Sequence, residues 1–560
     1  MKNIKKILLV SLLGASFNLN AAPAPGAEAA ADSAIQSLDK DLLERYLKEE
    51  KLKKLAPEKP VISLPEQGKA MSGASDVKNI KVNRFEVNPS EILESTAIKA
   101  VLEPYENKQV SLKDLFDAVN ALNVLYETKG AKTSRAILPP QDVKDGIVKI
   151  RLIEARVSEV KVSATTYVNK NFVSDRIKQK SGDLVSVAKL ETDLIRYNAL
   201  YESKLSASIA AGAKVGTTDI SIEVKEPKPF QFVTFADNAG RDTVGIGRIG
   251  AIFTGKNLVG DNDNLQVVVT GSEGTKSFGM TYSIPITNDD MRLETSFNAG
   301  AIEIIEGPFV PLNITGSSRD VTVGIAQPFS VNINRQWTAY GRLSARNSVS
   351  EFDGYVQQDT DLKVISVGVS GEAHYDDYAW SLDNNLNFGT KELGGEEAFT
   401  YYRANASFME QVSPKTTMLA RAGLQYSASE IVPSGEQFQI GGLNTVRGFS
   451  EGLLSGRNGY FTSLEMRHVL INSAPTEETN NLAHSVQGLV FFDHGGAFPY
   501  IPGQSITKDD YLTSAGVGLI VDIGTRFNAR VSVGYPMEDN PAESQQSVPK
   551  IHAAINISWM

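Results

Sequence analysis

The spacing of apolar positions changes character three times along this chain. Residues 7–17 are an uncharged apolar run behind three lysines in the first six positions. Such a run is too short to cross a membrane as a helix. With the small residues that follow, it reads as a secretory signal peptide over residues 1–21, cut after Ala21 because Pro23 disfavours a cut one residue later. Between 32 and 55, Ile35, Leu38, Leu42 and Tyr46 recur at helical spacing. Asp41/Arg45, Glu44/Lys48, Glu49/Lys53 and Glu50/Lys54 add i,i+4 pairs of favourable order, so a helix is predicted there. Pro57, Pro60, Pro65, Gly68 and Gly73 then mark a linker over 56–78.

From 79 to 155 strand and helix patterns alternate. Residues 80–85 read as a strand, 91–102 and 112–129 as helices, 135–138 and 147–153 as strands. In the last of these Val148, Ile150 and Leu152 oppose Ile147, Lys149 and Arg151. The same β-α-α-β-β order returns over 156–226, with strands at 157–162, 205–209 and 219–224 and helices at 170–179 and 187–198. Two consecutive α+β units of roughly 75 residues form an internal repeat. Each exposes sheet edges that an extended peptide can join.

Beyond Pro227-Lys228-Pro229 the helical period disappears. From 230 to 560 the chain reads as about 16 short alternating runs divided by Gly, Asn, Asp and Ser. Ile365, Val367 and Val369 oppose Ser366, Gly368 and Ser370. Phe527, Ala529, Val531, Val533 and Tyr535 oppose Asn528, Arg530, Ser532 and Gly534. A soluble sandwich would bury the apolar faces together, whereas a membrane barrel turns them to lipid and the polar faces to a lumen. Charges on the polar face, such as Arg421, Glu465, Arg467 and Arg530, favour the barrel. An even strand number places both barrel ends on one side of the membrane.

Composition narrows the function. The chain has 560 residues, 41% hydrophobic and 22% charged, with net charge −10. That excludes a mostly disordered chain and makes nucleic acid an unsuitable partner. Cysteine is absent, which removes disulfides, thiol catalysis and Cys-ligated metals. Gly245–Gly250 spells GxGxxG, and Gly250–Lys256 spells the start of a P-loop. Neither opens a helix, and Asn257 stands where a P-loop needs Ser or Thr, so both read as barrel glycines. The five histidines show no metal-ligand spacing and there is no GxSxG elbow. No catalytic residue, metal site or cofactor site is predicted, and the chain is expected not to be an enzyme.

Two segments carry a more specific signal. Residues 439–449, ending Val446-Arg447-Gly448-Phe449, lie in a connection of about 30 residues, long enough to be functional or internally packed. Phe491, Asp493 and Gly495 share one face of a strand. A carboxylate facing lipid is costly, so that face belongs to the lumen. Arg447 then becomes a partner for Asp493, through a bidentate bond that pins the loop inside the barrel.

These motifs, with Tyr126-Glu127-Thr128-Lys129-Gly130, Thr133-Ser134-Arg135-Ala136-Ile137-Leu138-Pro139-Pro140-Gln141 and Asp145-Gly146-Ile147-Val148, resemble the TpsB family. This is the haemolysin/haemagglutinin secretion-activation family of two-partner secretion, within the POTRA-plus-barrel superfamily. Val446, Arg447, Gly448 and Phe449 look like its loop-tip motif, and Phe491, Asp493 and Gly495 like its strand motif. Gly130, Ser134, Arg135, Pro139, Pro140 and Gln141 look like the end of its first POTRA domain, with Ala131 where the family often has an aromatic. The resemblance implies a 16-stranded antiparallel transmembrane β-barrel over 230–560, in the bacterial outer membrane with outer-membrane lipid as its partner. It implies two periplasmic POTRA domains, 79–155 and 156–226, and a plug helix at 32–55. It further implies a large secreted exoprotein as partner, export without ATP or any cofactor, and a monomeric barrel. A barrel-assembly insertase of the same superfamily and a passive porin are the alternatives.

Overall fold

The computed structural model describes residues 57–64, 79–474, 483–499, 505–543 and 547–559. The expected signal peptide and the helix over 32–55 lie outside the described residues, and so does most of the linker. Its described part is not wholly irregular. Ile62–Ser63 forms a short strand, β1, joined to a sheet far along the chain.

The first α+β module contains β2 (Ile80–Val82), β3 (Arg84–Val87), α1 (Ser95–Leu102), β4 (Lys108–Val110), α2 (Leu112–Thr128), β5 (Arg135–Ile137) and β6 (Ile147–Ile153). Strands β3, β6 and β5 make one sheet, and β2 pairs with β4 in a second, which the simple β-α-α-β-β reading lacks. Helix α2 opens with a capping box, Ser111 and Asp114 each bonding the other's backbone N–H. Its apolar face, Ala118, Val119, Leu122 and Tyr126, packs on Ile98, Leu102, Ile150 and Leu152. Ala131 joins the same core.

Helix α1 begins at Ser95, four residues later than the spacing predicts, because the turn before it has another partner. The Glu154 carboxylate accepts from the Ser90 hydroxyl and from the N–H groups of Glu91 (2.9 Å) and Ile92 (3.2 Å). It also accepts from the Tyr126 hydroxyl at 3.0 Å. Burial pushes the Glu154 carboxyl up, but the donors outweigh it and hold it below its ordinary value. A carboxyl depressed in the fold gives stability that is full above its unfolded pKa and is lost as pH falls through the folded one. Glu154→Ala is therefore expected to weaken this module by about 2 kcal/mol at neutral pH. Amide hydrogen exchange over 88–93 should speed up, and the acid sensitivity of those amides should shrink.

The second module runs β7 (Arg156–Val162), α3 (Lys170–Arg176), α4 (Val187–Leu200), β8 (Lys204–Ala211) and β9 (Thr217–Lys225). The sheet order is β1-β8-β9-β7. Helix α3 stops at Arg176, short of the predicted 179. The Lys178 N–H instead donates to Asp193 on α4 at 2.8 Å.

From Phe230 onward, 16 antiparallel strands close into a barrel. The first, Phe230–Asp237, pairs with the last, Lys550–Ser558, from Val233↔Ser558 to Asp237↔Ala554. The alternation settles which face meets what. Val321, Val323 and Ile325 are exposed on the outside, while Asp320 and Ala326 are buried towards the lumen. Ile365, Val367 and Val369 repeat the outward pattern. An exposed apolar band around a polar interior suits lipid and would be untenable in water.

The second module is docked on the barrel's near end. Asp290, in the turn after the fourth barrel strand, accepts from Arg176 and Arg196 at 2.7 Å each and from the Tyr201 hydroxyl at 2.6 Å. Asn262, in the turn after the second strand, bonds Tyr197 (2.9 Å) and Ser203 (2.8 Å). These contacts fix the second module at one mouth of the barrel.

Candidate functional site: a clamped loop in the lumen

The connection between the eleventh barrel strand, Thr416–Ser427, and the twelfth, Asn458–Ser473, turns back into the barrel. It is stiffened by a small antiparallel ladder, Phe438–Ile440 with Leu454–Gly456. Three sets of contacts hold it.

The first is the foot at Glu436. Its carboxylate pairs with Arg346 at 3.2 Å and accepts from the Tyr401 hydroxyl. Its carbonyl accepts from Gln425 at 2.9 Å. The second is the returning limb. Ser450 donates through its N–H to Glu543 (2.9 Å) and through its hydroxyl to Asp242 (2.7 Å), and Lys550 donates to that hydroxyl (2.6 Å).

The third is the tip. Period 2 turns Ser463, Glu465 and Arg467 inward on the twelfth strand and Phe491, Asp493 and Gly495 inward on the thirteenth, Ser463 lying beside Asp493. Arg447 reaches both strands and is 0% exposed. Its Nε donates to Asp493 Oδ2 at 2.7 Å and its Nη2 to Oδ1 at 2.9 Å, a two-point bond. Its own backbone N–H adds a bond to Oδ2 at 3.1 Å. Nη1 bonds Glu465, and Nη2 also reaches the Ser463 hydroxyl at 3.2 Å. The guanidinium carbon lies 3.5 Å from the centre of the Phe491 ring, a cation–π contact. Glu465 is shared with Arg467 and Arg530. Three guanidiniums thus surround two buried carboxylates.

Gly448 and Phe449 finish the tip. Phe449 and Val446 pack into a cluster with Phe438, Ile440, Ala497 and Leu512. The Gly448 N–H donates to His552 Nε2 on the last strand at 3.0 Å. Gly448 has φ +91°, and a Cβ on Gly534 would stand 2.5 Å from the Gly448 nitrogen. Neither position has room for a side chain.

The structure brings Val446, Arg447, Gly448 and Phe449 together with Phe491, Asp493 and Gly495. It does not bring the remaining motif there. Gly130, Ser134, Arg135, Pro139, Pro140 and Gln141 all lie in the first module, where they shape its fold. Gly130, at φ +74°, ends helix α2. The Ser134 hydroxyl accepts from the Ala155 N–H at 3.2 Å. Arg135 begins β5. After Pro139-Pro140, the Gln141 amide accepts from the Lys149 N–H and donates to its carbonyl, both at 2.7 Å, standing in for a strand. Glu436, Ser450 and His552 belong to the clamp although sequence reasoning passed over them. Their only signal was position on a lumen face or within the long loop.

Comparison with known proteins follows the same outline. Residues 216–521 match the family described as haemolysin secretion/activation protein ShlB/FhaC/HecB. Residues 80–155 match the ShlB-type POTRA domain. The heme/hemopexin transporter protein HuxB of Haemophilus influenzae (strain 86-028NP) is 25% identical over 470 residues, 79% of this chain and 80% of HuxB. The outer membrane transporter CdiB of Dickeya dadantii (strain 3937) is 21% identical over 400 residues, 68% of this chain and 70% of CdiB. The solved structure of CdiB from Escherichia coli shares the fold with a TM-score of 0.64 at 19% identity, covering 96% of this chain and 100% of CdiB.

Proposed function

The chain belongs to the haemolysin secretion/activation family ShlB/FhaC/HecB, and we propose from that premise how its parts divide the work of export. It is an outer-membrane transporter of two-partner secretion, with its POTRA domains in the periplasm. In our reading the two modules capture one large cognate exoprotein while it is unfolded. The barrel then passes it outward, and folding outside withdraws the extended chain from the equilibrium, so no ATP is needed.

The clamped loop carries this reading. A conduit for a polypeptide needs a lumen whose contents are held in one defined arrangement, and the tip, foot and returning limb do that. The buried acids and bases neutralise one another in ion pairs, which suits a clamp that holds the loop in one place. The closed sheet leaves no free edge for strand pairing, its apolar outer band suits contact with lipid, and we read the barrel as monomeric.

Comparing the secretome of cells with and without this protein tests the reading. Loss of one large protein from the medium or cell surface, with other outer-membrane proteins constant, is the expected outcome and names the passenger. A collective fall of outer-membrane proteins would assign an insertase instead, and an unchanged secretome would remove the export reading.

A further inference from the structure

Two turns meet beside the barrel wall, and each holds apolar side chains away from the protein. The first precedes α3 in the second module. Thr166, Tyr167 and Val168 donate their backbone N–H groups to the Glu226 carboxylate at 2.9, 2.8 and 2.7 Å. Val168 turns into the module's core, and Tyr167 is left 45% exposed. The second follows the second barrel strand, Arg248–Lys256. There the buried Asp263 carboxylate accepts from the N–H groups of Leu258 at 3.1 Å and Val259 at 3.0 Å. The Leu258 and Val259 side chains remain 44% and 60% exposed. The two turns are bonded to each other, the Asn169 N–H donating to the Gly260 carbonyl at 2.7 Å. A Cβ on Gly260 would stand 3.2 Å from the Tyr167 carbonyl, so their backbones are in close contact.

Leu258 ties this ridge to the lipid face of the barrel. Period 2 puts Phe253 and Gly255 on the same face of the second strand as Ile249, which is exposed on the outside. A Cβ on Gly255 would stand 3.1 Å from Leu258 Cδ2, so Leu258 lies over the outer face of that glycine. Phe230, the register partner of Gly255, stacks on Phe253 with ring centroids 5.9 Å apart. The barrel's apolar band therefore continues through Phe230 and Leu258 to the turn that touches Tyr167.

The repeat supplies a comparison. In the first module Glu154 grips the corresponding turn, at Ser90, Glu91 and Ile92. Ser90 and Glu91 are polar, and Ile92 packs on the core. The clasp is the same, but only the module that sits against the barrel turns an aromatic ring outward.

We propose that Tyr167, Leu258 and Val259 form a lipid-binding ridge that seats the second module in the periplasmic leaflet of the outer membrane. Its occupant is phospholipid, because the ridge is continuous with a surface that already faces lipid. A tyrosine ring suits the headgroup level, with its apolar body towards the acyl chains and its hydroxyl in water. Leu258 and Val259 reach the acyl boundary beside it. Two carboxylates fix the backbone on both sides, so the side chains are presented in one arrangement. The module is thereby held by the membrane as well as by the barrel. This inference needs only the outer-membrane location, and it stands or falls without the export reading.

The chain has no cysteine, so Tyr167→Cys can carry a single environment-sensitive fluorophore in the full-length protein. The protein is placed in nanodiscs of phosphatidylethanolamine and phosphatidylglycerol, which leave both faces open to solutes. Val215→Cys is the control, since Val215 is exposed in the turn that abuts the first module. At 167, emission is expected to fall about twofold or more with lipids brominated high on the acyl chain, and to resist aqueous iodide. At 215 iodide should quench and bromine should not. A dye can carry itself into lipid, so the unlabelled wild type is tested as well. A phospholipid with a photoreactive group close to its headgroup should form adducts on residues 165–169 and 257–260. Tyr167→Ser combined with Val259→Ser should lower their yield. Iodide quenching at 167 equal to that at 215, or no lipid adduct on either turn of the wild type, overturns the proposal. Protection from iodide without quenching by bromine puts protein on the ridge instead of lipid, and overturns it too.

Discussion

Arg447→Ala is expected to abolish export while leaving normal amounts of folded barrel in the outer membrane. The substitution removes the two-point bond to Asp493, the bond to Glu465 and the contact on Phe491 together. It leaves the Asp493 carboxylate buried with only the loop's backbone N–H remaining of the bonds from Arg447. Removing one member of a buried pair costs about 3–5 kcal/mol, largely because the other charge stays uncompensated. At about 1.4 kcal/mol per tenfold, the seated fraction of the tip drops by about a hundredfold or more relative to the released one. The barrel wall is not at risk in the same way, since its ladders are formed by backbone groups.

Two further variants separate charge from geometry. Arg447→Lys keeps a cation, but an ammonium cannot fork onto Asp493 while reaching Glu465, so partial export is expected. Arg447→Ala combined with Asp493→Ala removes both members, so its defect should be smaller than the sum of the single defects. The measurements are secreted protein by immunoblot and barrel content by heat-modifiable mobility. Wild-type export by both single alanine variants would remove the clamp's role.

Much of this was legible because periodicity reports directly on burial. Val148, Ile150 and Leu152 are buried in β6, as alternation demands of a half-covered strand. The barrel was legible for the same reason, and the costs of burying charge pointed Asp493 inward and Arg447 towards it. What escaped notice had no periodic signature. Strand β1 is two residues long between prolines, so it resembles a linker by every local measure. Glu436, Ser450 and His552 find partners far away in sequence, and only the closed barrel brings them near. The first-module motif was legible as a motif but not in its role, since Gln141 acts as a surrogate strand through its side chain. Local propensity likewise could not foresee the late start of α1, which a carboxylate at Glu154 decides from the far end of the module.

The clasp between the second module and the barrel was hidden for the same reason, and it yields the other large expected effect. Asp290 gathers Arg176, Arg196 and Tyr201 from two helices and the segment after them. Asp290 and Arg176 have side chains only 5% and 7% exposed, so solvent screens the pair little. Burial, then the Asp290 charge, pushes the Tyr201 phenol up, so it stays a protonated donor well into alkaline solution. Asp290→Ala leaves two guanidiniums facing each other across an emptied site, at a cost of about 3–5 kcal/mol. The Asn262 contacts with Tyr197 and Ser203 persist, as does the bond from the Asn169 N–H to the Gly260 carbonyl at 2.7 Å. Docking is therefore expected to loosen and not to vanish. Hydrogen exchange at the interface amides of α3 and α4 should accelerate about tenfold to a hundredfold, with the barrel's exchange unchanged. Export should fall with it, because a captured segment must be delivered to the mouth from a fixed direction. Asp290→Asn, which keeps an acceptor but loses the charge, should stand between the two. If exchange across that interface is the same in Asp290→Ala as in the wild type, the second module is held by its other contacts, among them those of Asn262 and Gly260 and the bond from Arg176 to the Thr287 carbonyl, and Asp290 has no part in presenting the exported chain to the barrel.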